Sequence, residues 1–266
     1  MPVFKREMKR NQKTCLIWSI LMSLLMVLLI FMYPTIAEQW DVFEQLLDQY
    51  PKAFLAAFNV DRLSMGEILG YFGTEAYIFI LLFGSIYAIQ LASSIVSKEE
   101  SEGTIEFLLS KPVTREQILT SKALCTLIYI FAFNLVLGLV TYICFEIVKE
   151  EPYDAGILFS LFFGAFLVQL TFASIGLLLS IFIPKAKRIF PLSLGVVLGT
   201  YFLSVASVIT EKLDWLKYLS PFKYSDAADI IINGGLTPAY LLIMTVIILV
   251  CISMSYLFYY RKDINI

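Results

Sequence analysis

Few residues in this chain can do covalent chemistry. No histidine occurs among its 266 residues, which removes Ser-His and Cys-His nucleophiles and every His-bearing metal site. Cys15, Cys125, Cys144 and Cys251 lack metal-ligand spacing. They lie in or at the ends of apolar runs, where packing is their expected role and a disulfide framework is not. There is no G-x-x-x-x-G-K-[ST] to cradle a nucleotide phosphate. No catalytic residue and no metal ligand is expected. The patterned charge that remains is SKEESEGTIEFLLSKPVTREQILTSK, residues 97–122, with five acids and four bases between long uncharged runs. Its chemistry is recognition and mechanical linkage, so the question becomes which elements hold it.

Those elements are membrane helices. The chain is 59% hydrophobic with a mean hydropathy of +0.80, above the roughly half-apolar composition of a soluble domain. The excess is gathered into blocks, and about 20 apolar residues make one helical crossing. Spans are expected at about 15–36, 71–97, 123–147, 155–183, 189–210 and 239–260, in one transmembrane domain covering 1–266. In lipid the backbone satisfies itself within helices, and the short alternating strands of a barrel are not seen. The fold class is therefore all-α and polytopic.

The net charge of −2 decides nothing, but the placement of bases does. With the N-terminus cytoplasmic, six spans return the C-terminus to the same side. The inner pieces then carry fourteen bases, including Lys5, Arg6, Lys9, Arg10, Lys13, Lys98, Arg115 and Lys122. The outer pieces carry six, Lys52, Arg62, Lys149, Lys212, Lys217 and Lys223. The positive-inside rule selects this orientation. The first span has a basic start, and Thr35-Ile36-Ala37 is weakly like a cleavage site. Its uncharged run exceeds a usual signal core, so it reads as an uncleaved signal anchor.

Residues 2–14 carry Val3, Phe4 and Met8 among bases, a pattern that predicts a helix lying on the inner membrane surface. The external segment 37–70 opens with an amphipathic pattern of Glu38, Asp41, Glu44 and Asp48 around Trp40, Phe43, Leu46 and Leu47, ended by Pro51. The second external segment, 211–238, holds pieces too short to cross, punctuated by Pro221 and Gly234-Gly235. Short re-entrant helices fit it, covered by protein or water.

Within 97–122, Ile105, Leu108 and Leu109 fall at i, i+3, i+4 and predict a short amphipathic helix. Lys111-Pro112 stops it, because the residue before proline disfavours helical geometry. Thr114-Arg115-Glu116-Gln117 then matches a capping box and starts a helix running through Lys122. Helix, break, helix with an uncovered apolar stripe suits a knob in a partner's groove. A plain connection between packed helices is usually far shorter.

The run E-x-x-x-G-T-I-E-F-L-L-S-x-P-V-T-R-x-x-I-L-x-x-K, from Glu99 to Lys122, resembles the signature of ABC-2 type permeases, the membrane subunits of ABC exporters. The six-span layout, the basic N-terminal stretch, Ser220-Pro221-Phe222 and the ending Tyr259-Tyr260-Arg261-Lys262-Asp263-Ile264 are similar too. Ser121 departs from the glycine found before the lysine in many members. The resemblance implies a cytoplasmic coupling helix in 98–122 that docks on a separate ABC ATP-binding subunit. It implies two such ATPase copies, which hold the ATP and Mg, and a second permease copy, identical or related. On this chain the docking residues are then Glu99, Glu102, Gly103, Thr104, Ile105, Glu106, Leu108, Leu109, Pro112 and Arg115, with Gly103 permitting a sharp bend. The resemblance also implies that the second and fifth spans line the path at the dimer interface. The polar residues there are Tyr87, Gln90, Ser93, Ser94, Thr200, Ser204 and Ser207.

Gly195 and Gly199 form a G-x-x-x-G that permits close helix approach, either within the chain or at a dimer seam. Intramembrane acids that would mark ion coupling are missing from the centres of all six spans. Glu75 and Glu146 sit at outer ends. The expected function is an ATP-driven exporter permease in the plasma membrane of a prokaryote, with both termini cytoplasmic. It binds no cofactor itself and contacts no nucleic acid. The expected substrate is an amphipathic peptide, toxin or hydrophobic drug. A membrane sensor or assembly protein without transport activity is the alternative. An intramembrane protease, suggested faintly by Glu99-Glu100, lacks the arginine spacing and later histidines.

Overall fold

In the computed structural model, residues 2–40, 44, 55, 59–101, 114–183, 186–209 and 211–261 are described. Six helices are long and apolar enough to cross a membrane: Val3–Ala37, Ile68–Ile95, Arg115–Val148, Ala155–Phe182, Ile189–Val208 and Pro238–Arg261. They are called spans 1 to 6. Among the described residues there is no strand.

Span 1 corrects one expectation. Residues 2–14 are not a separate helix: Pro2–Ala37 is a single helix of 36 residues. At 1.5 Å per residue it is about 54 Å long, well beyond a hydrocarbon core of about 30 Å. Nothing in the sequence near residue 14 breaks a helix, so the basic turns continue the span. Cys15, Met22, Met26, Ile30 and Tyr33 form its buried stripe, while Leu16, Ile20, Leu24, Leu28 and Phe31 face outward. That is the spacing of a helix with one packed face and one lipid-facing side.

Spans 2 and 4 form the centre. Their most apolar windows are 67% and 61% buried, against 17% for span 5 and 11% for span 6. Close approach between them depends on glycine. A Cβ at Gly176 would lie 2.6 Å from the Ile89 carbonyl oxygen, and one at Gly84 would lie 2.2 Å from Gln169 Nε2. The space at Gly84 admits a buried polar chain. Gln169 Nε2 donates to the Ile80 carbonyl (3.4 Å), and Asn134 Nδ2 donates to Gln169 Oε1 (2.7 Å). Spans 2, 3 and 4 are thus joined by hydrogen bonds where no water would satisfy these amides.

Span 2 contains a wide turn. A short helix Ile68–Tyr71 passes through a π-turn at Phe72–Ala76 into Tyr77–Ser101. Thr74 Oγ1 donates to the carbonyls of Gly70 and Tyr71 at 2.9 and 3.0 Å, competing with the helical ladder. Tyr71 donates to the Leu29 carbonyl (2.8 Å) and Tyr33 to the Gly66 carbonyl (2.9 Å), which pins this end to span 1.

Span 3 begins as its sequence predicts. Thr114 Oγ1 accepts from Gln117 N and Gln117 Oε1 accepts from Thr114 N, each at 3.2 Å, a complete capping box. Span 4 is capped by Asp154, whose Oδ1 accepts from Gly156 N at 2.7 Å. Between spans 5 and 6 lie 3-10 turns at Glu211–Leu219 and Lys223–Ser225, then a short helix, Ala227–Asn233. Gly234 ends it with φ 70°, the left-handed cap that glycine adopts without strain. The amphipathic pattern expected from residue 38 to Pro51 lies mostly outside the described residues. Trp40 is buried, against Gly66.

Candidate functional site

Spans 2 and 5 pack side by side and leave a cleft at each end of their seam. The cleft beside the N-terminal part of span 1, labelled the inner cleft and its counterpart the outer, has a volume of about 190 Å³. Tyr87, Gln90, Ser93 and Ser94 of span 2 line it, opposite Ile189 and Phe190 of span 5. Asn11, Thr14 and Trp18 of span 1 close the third side. The outer cleft is smaller, about 90 Å³, and runs along Thr74, Tyr77 and Leu81 of span 2. Tyr201, Ser204 and Val208 of span 5 face them, with Phe222 and Ser225 above. Along span 5, Ser193 and Val197 fall between the clefts and are fully buried. Ser193 Oγ donates to Ser93 Oγ at 3.4 Å, so the seam is shut at this level.

The outer cleft has a strapped roof. Tyr77 donates to the Leu161 carbonyl (2.8 Å) and shares a 2.6 Å hydrogen bond with Ser225 Oγ. Ser220 Oγ donates to the Thr200 carbonyl (2.8 Å). Above these, Arg62 contacts Asp229 (2.6 Å) and Asp226 (3.4 Å), and Lys223 contacts Asp226 (2.9 Å) and Asp229 (3.6 Å). Burial lowers the pKa of Arg62, but its hydrogen bond to Asp229 and the charges of Asp226, Asp229 and Asp61 outweigh that and raise it. Arg62 and Asp229 are partly exposed, so their pair is individually weak, while Lys223 and Asp226 are largely buried. What the cluster contributes is alignment of the segment between spans 1 and 2 over the one between spans 5 and 6.

Of the polar residues predicted for spans 2 and 5, Tyr87, Gln90, Ser93 and Ser94 gather at the inner cleft and Ser204 at the outer one. Thr200 and Ser207 instead donate within their own helix, to Val196 and Val197 and to Ser204. Asn11, Thr14 and Trp18 were missed. Their spacing of three and four places them on one helical face, but they lie within or beside the basic stretch that reads as a membrane flank. Among the described residues, no atom beyond their own helix lies within 4 Å of a Cβ built at Gly195 or Gly199. Phe190, Leu192 and Phe202 are exposed on the same span. Among the described residues, these glycines make no close packing contact within the chain.

A larger groove of about 460 Å³ lies between spans 3 and 4. Phe131, Leu135, Phe159, Phe163 and Phe166 line it and continue the outward-facing apolar surface.

Among the residues expected to dock a partner, Glu102, Gly103, Thr104, Ile105, Glu106, Leu108, Leu109 and Pro112 lie outside the described residues. Glu99 belongs to the helix Tyr77–Ser101, and its side chain is likewise outside them. Arg115 is described and is engaged within the chain. Its Nη1 donates to the carbonyls of Tyr259 (3.3 Å) and Tyr260 (3.2 Å), at the C-terminal end of span 6. A cation there satisfies carbonyls that a helix end leaves free. Thr120 and Tyr256 share a 2.7 Å hydrogen bond one turn deeper. The root of span 3 is therefore stitched to the end of span 6.

Among the described residues, no cluster of Cys, Asp and Glu is arranged to hold a metal ion. The chain matches, over residues 1–264, the family model described as "ABC-2 family transporter protein". No curated protein matches it.

Proposed function

We propose, from the premise that this chain belongs to the ABC-2 family of transporter proteins, that it is the permease of an ATP-driven exporter whose motor is a separate ABC ATP-binding chain. The observation that carries this reading is the seam between spans 2 and 5. One cleft faces each end, and the waist between them is shut at Ser193 and Val197. A path that opens alternately to either side requires such an arrangement. Tyr87, Gln90, Ser93, Ser94 and Ser204 are its polar lining. An amphipathic peptide, toxin or hydrophobic drug suits walls that mix aromatic rings with hydroxyls and a few amides.

Residues 98–122 are the coupling segment on this reading. Glu99, Glu102, Gly103, Thr104, Ile105, Glu106, Leu108, Leu109 and Pro112 form the surface that meets the ATPase. Arg115 acts behind them, carrying motion to the end of span 6. Two ATPases and a second permease complete the unit, with ATP and Mg held by the ATPases. The open apolar face around Gly195 and Gly199 suits the seam with that second copy. The whole chain, 1–266, is one permease domain in a prokaryotic plasma membrane, and 211–238 dips into the outer leaflet under the cover of spans 2 and 4.

The test is co-reconstitution. The chain alone shows no ATP hydrolysis above background, because it has no phosphate-binding loop. Added to its ATP-binding partner, it forms a stable complex whose hydrolysis responds to substrate. Stable co-purification with an ATPase whose hydrolysis ignores every amphipathic substrate offered would favour the sensor or assembly alternative.

Topology gives a second expected outcome. Asn233 and Gln12 are both exposed. In a background without native cysteines, Asn233→Cys reacts with an impermeant maleimide in intact cells, and Gln12→Cys reacts only after permeabilisation. The reverse pattern contradicts the orientation.

A further inference from the structure

Two opposite charges are buried at the neck of the charged segment. Lys122 has 0% and Glu7 1% of its surface exposed, and Lys122 Nζ lies 3.8 Å from Glu7 Oε1. The same ammonium donates to the carbonyl of Ile95, near the inner end of span 2. Ile95 precedes the charged segment and Lys122 closes it, so one side chain fastens both of its roots. Glu7 continues the chain of contacts along span 1. Asn11, one turn on, donates its amide to the Glu7 carbonyl (3.0 Å) and to Glu7 Oε2 (3.4 Å). Asn11 also lines the inner cleft. Just beyond, Tyr129 of span 3 donates to the Met8 carbonyl, which holds the two helices in register.

Apolar side chains of similar size would fill this space without the cost of removing two charges from water, and such replacements are often neutral or stabilising. What they would lose is a defined register between three helices. We propose that Lys122 is a positioning residue: it clamps the two roots of the 96–121 segment together and, through Glu7 and Asn11, delivers their displacement to span 1 and the wall of the inner cleft. This rests on the reading of that segment as the site of ATPase contact.

The test compares wild type with Lys122→Met, Glu7→Leu and the double variant carrying both. Each single change leaves one buried charge without its counter-ion and lowers thermal stability. The double variant, an apolar pair in place of the ion pair, regains it. The Glu7–Lys122 limb of the clamp, which fixes span 1 against span 3, is read without any partner, from spin labels on the exposed residues Lys13 and Glu116. Wild type gives one narrow distance distribution, and the double variant gives a broad or multiple one despite its restored stability.

Transmission is read in the complex with the ATPase, as the maleimide labelling rate of Thr14→Cys at the inner cleft. Nucleotide trapping with ATP, Mg and vanadate changes the wild-type rate by roughly fivefold or more, the scale of a typical coupling between sites. The double variant assembles and hydrolyses ATP but shows no such change. A double variant with a wild-type distance distribution and a wild-type nucleotide response overturns the proposal. If wild-type labelling itself ignores nucleotide, the coupling reading of the segment fails, and the distance measurement then decides the clamp by itself.

Discussion

Leu108→Glu weakens assembly with the ATP-binding subunit by roughly tenfold or more. The expectation follows from the spacing of Ile105, Leu108 and Leu109, which predicts one apolar stripe between charged flanks. An anchor of this kind, desolvated at the centre of an interface, costs about 2 kcal/mol or more when lost, and each 1.4 kcal/mol is about a factor of ten in affinity. Glutamate also places a charge in the middle of the predicted apolar stripe. Insertion of the chain is unaffected, because position 108 falls between the apolar runs of spans 2 and 3 in the sequence and not within either. Arg115→Ala behaves differently. It removes the guanidinium from the Tyr259 and Tyr260 carbonyls, so assembly persists while hydrolysis loses its link to export. A pull-down and an export assay on the same membranes separate the two outcomes. Wild-type assembly and export by Leu108→Glu would mean that the segment is only a long loop.

Gly176→Val lowers stability by about 1–3 kcal/mol or more, the range for overpacking a filled core. The obstacle is backbone. A Cβ at Gly176 meets the Ile89 carbonyl oxygen at 2.6 Å and the Ile89 Cα at 3.2 Å. Neither can rotate away, so spans 2 and 4 must separate along their closest contact. Van der Waals contact between small residues is a main source of helix association in lipid, and separation forfeits it. The unfolding midpoint in mild detergent reports the loss. Gly195→Val is the matched control. Its Cβ meets nothing within 4 Å, so the isolated chain keeps its stability. If the open face is the seam with a second copy, the same change weakens that association instead.

These two glycines show where sequence reading reaches and where it stops. Hydropathy blocks located all six spans, because a helix in lipid must be both long and apolar. The capping box at Thr114 and Gln117 was legible because its two reciprocal hydrogen bonds depend on residues only three apart. Spacing alone did not say which side of a helix a glycine faces. The G-x-x-x-G at Gly195 and Gly199 allowed packing within the chain as readily as between chains, and among the described residues no other span comes within 4 Å of a Cβ at either. The π-turn at Phe72–Ala76 has no reliable local signature; it depends on Thr74 donating backward and on the ties of Tyr33 and Tyr71 to neighbouring segments.

The site was legible by halves for the same reason. Gln90, Ser93 and Ser94 are polar residues in an apolar helix and announce themselves. Asn11 and Thr14 sit in a basic stretch, where polarity is unremarkable and a membrane flank was the simpler reading. That reading divided span 1 at residue 14, and the division concealed both the third wall of the inner cleft and the burial of Glu7 against Lys122. Arg115 carried a plausible docking role on its position alone. Its hydrogen bonds to span 6 depend on a contact 144 residues away, which no local pattern encodes.

The central claim is that residues 98–122 meet an ATPase. The most direct measurement replaces Leu108 with a photoreactive amino acid and irradiates the complex in its native membrane. The account predicts a covalent adduct with the ATP-binding subunit, lost when Glu102→Ala and Leu109→Glu are added on the same segment. An adduct confined to lipid or to the permease itself, in a complex that still exports, would contradict it.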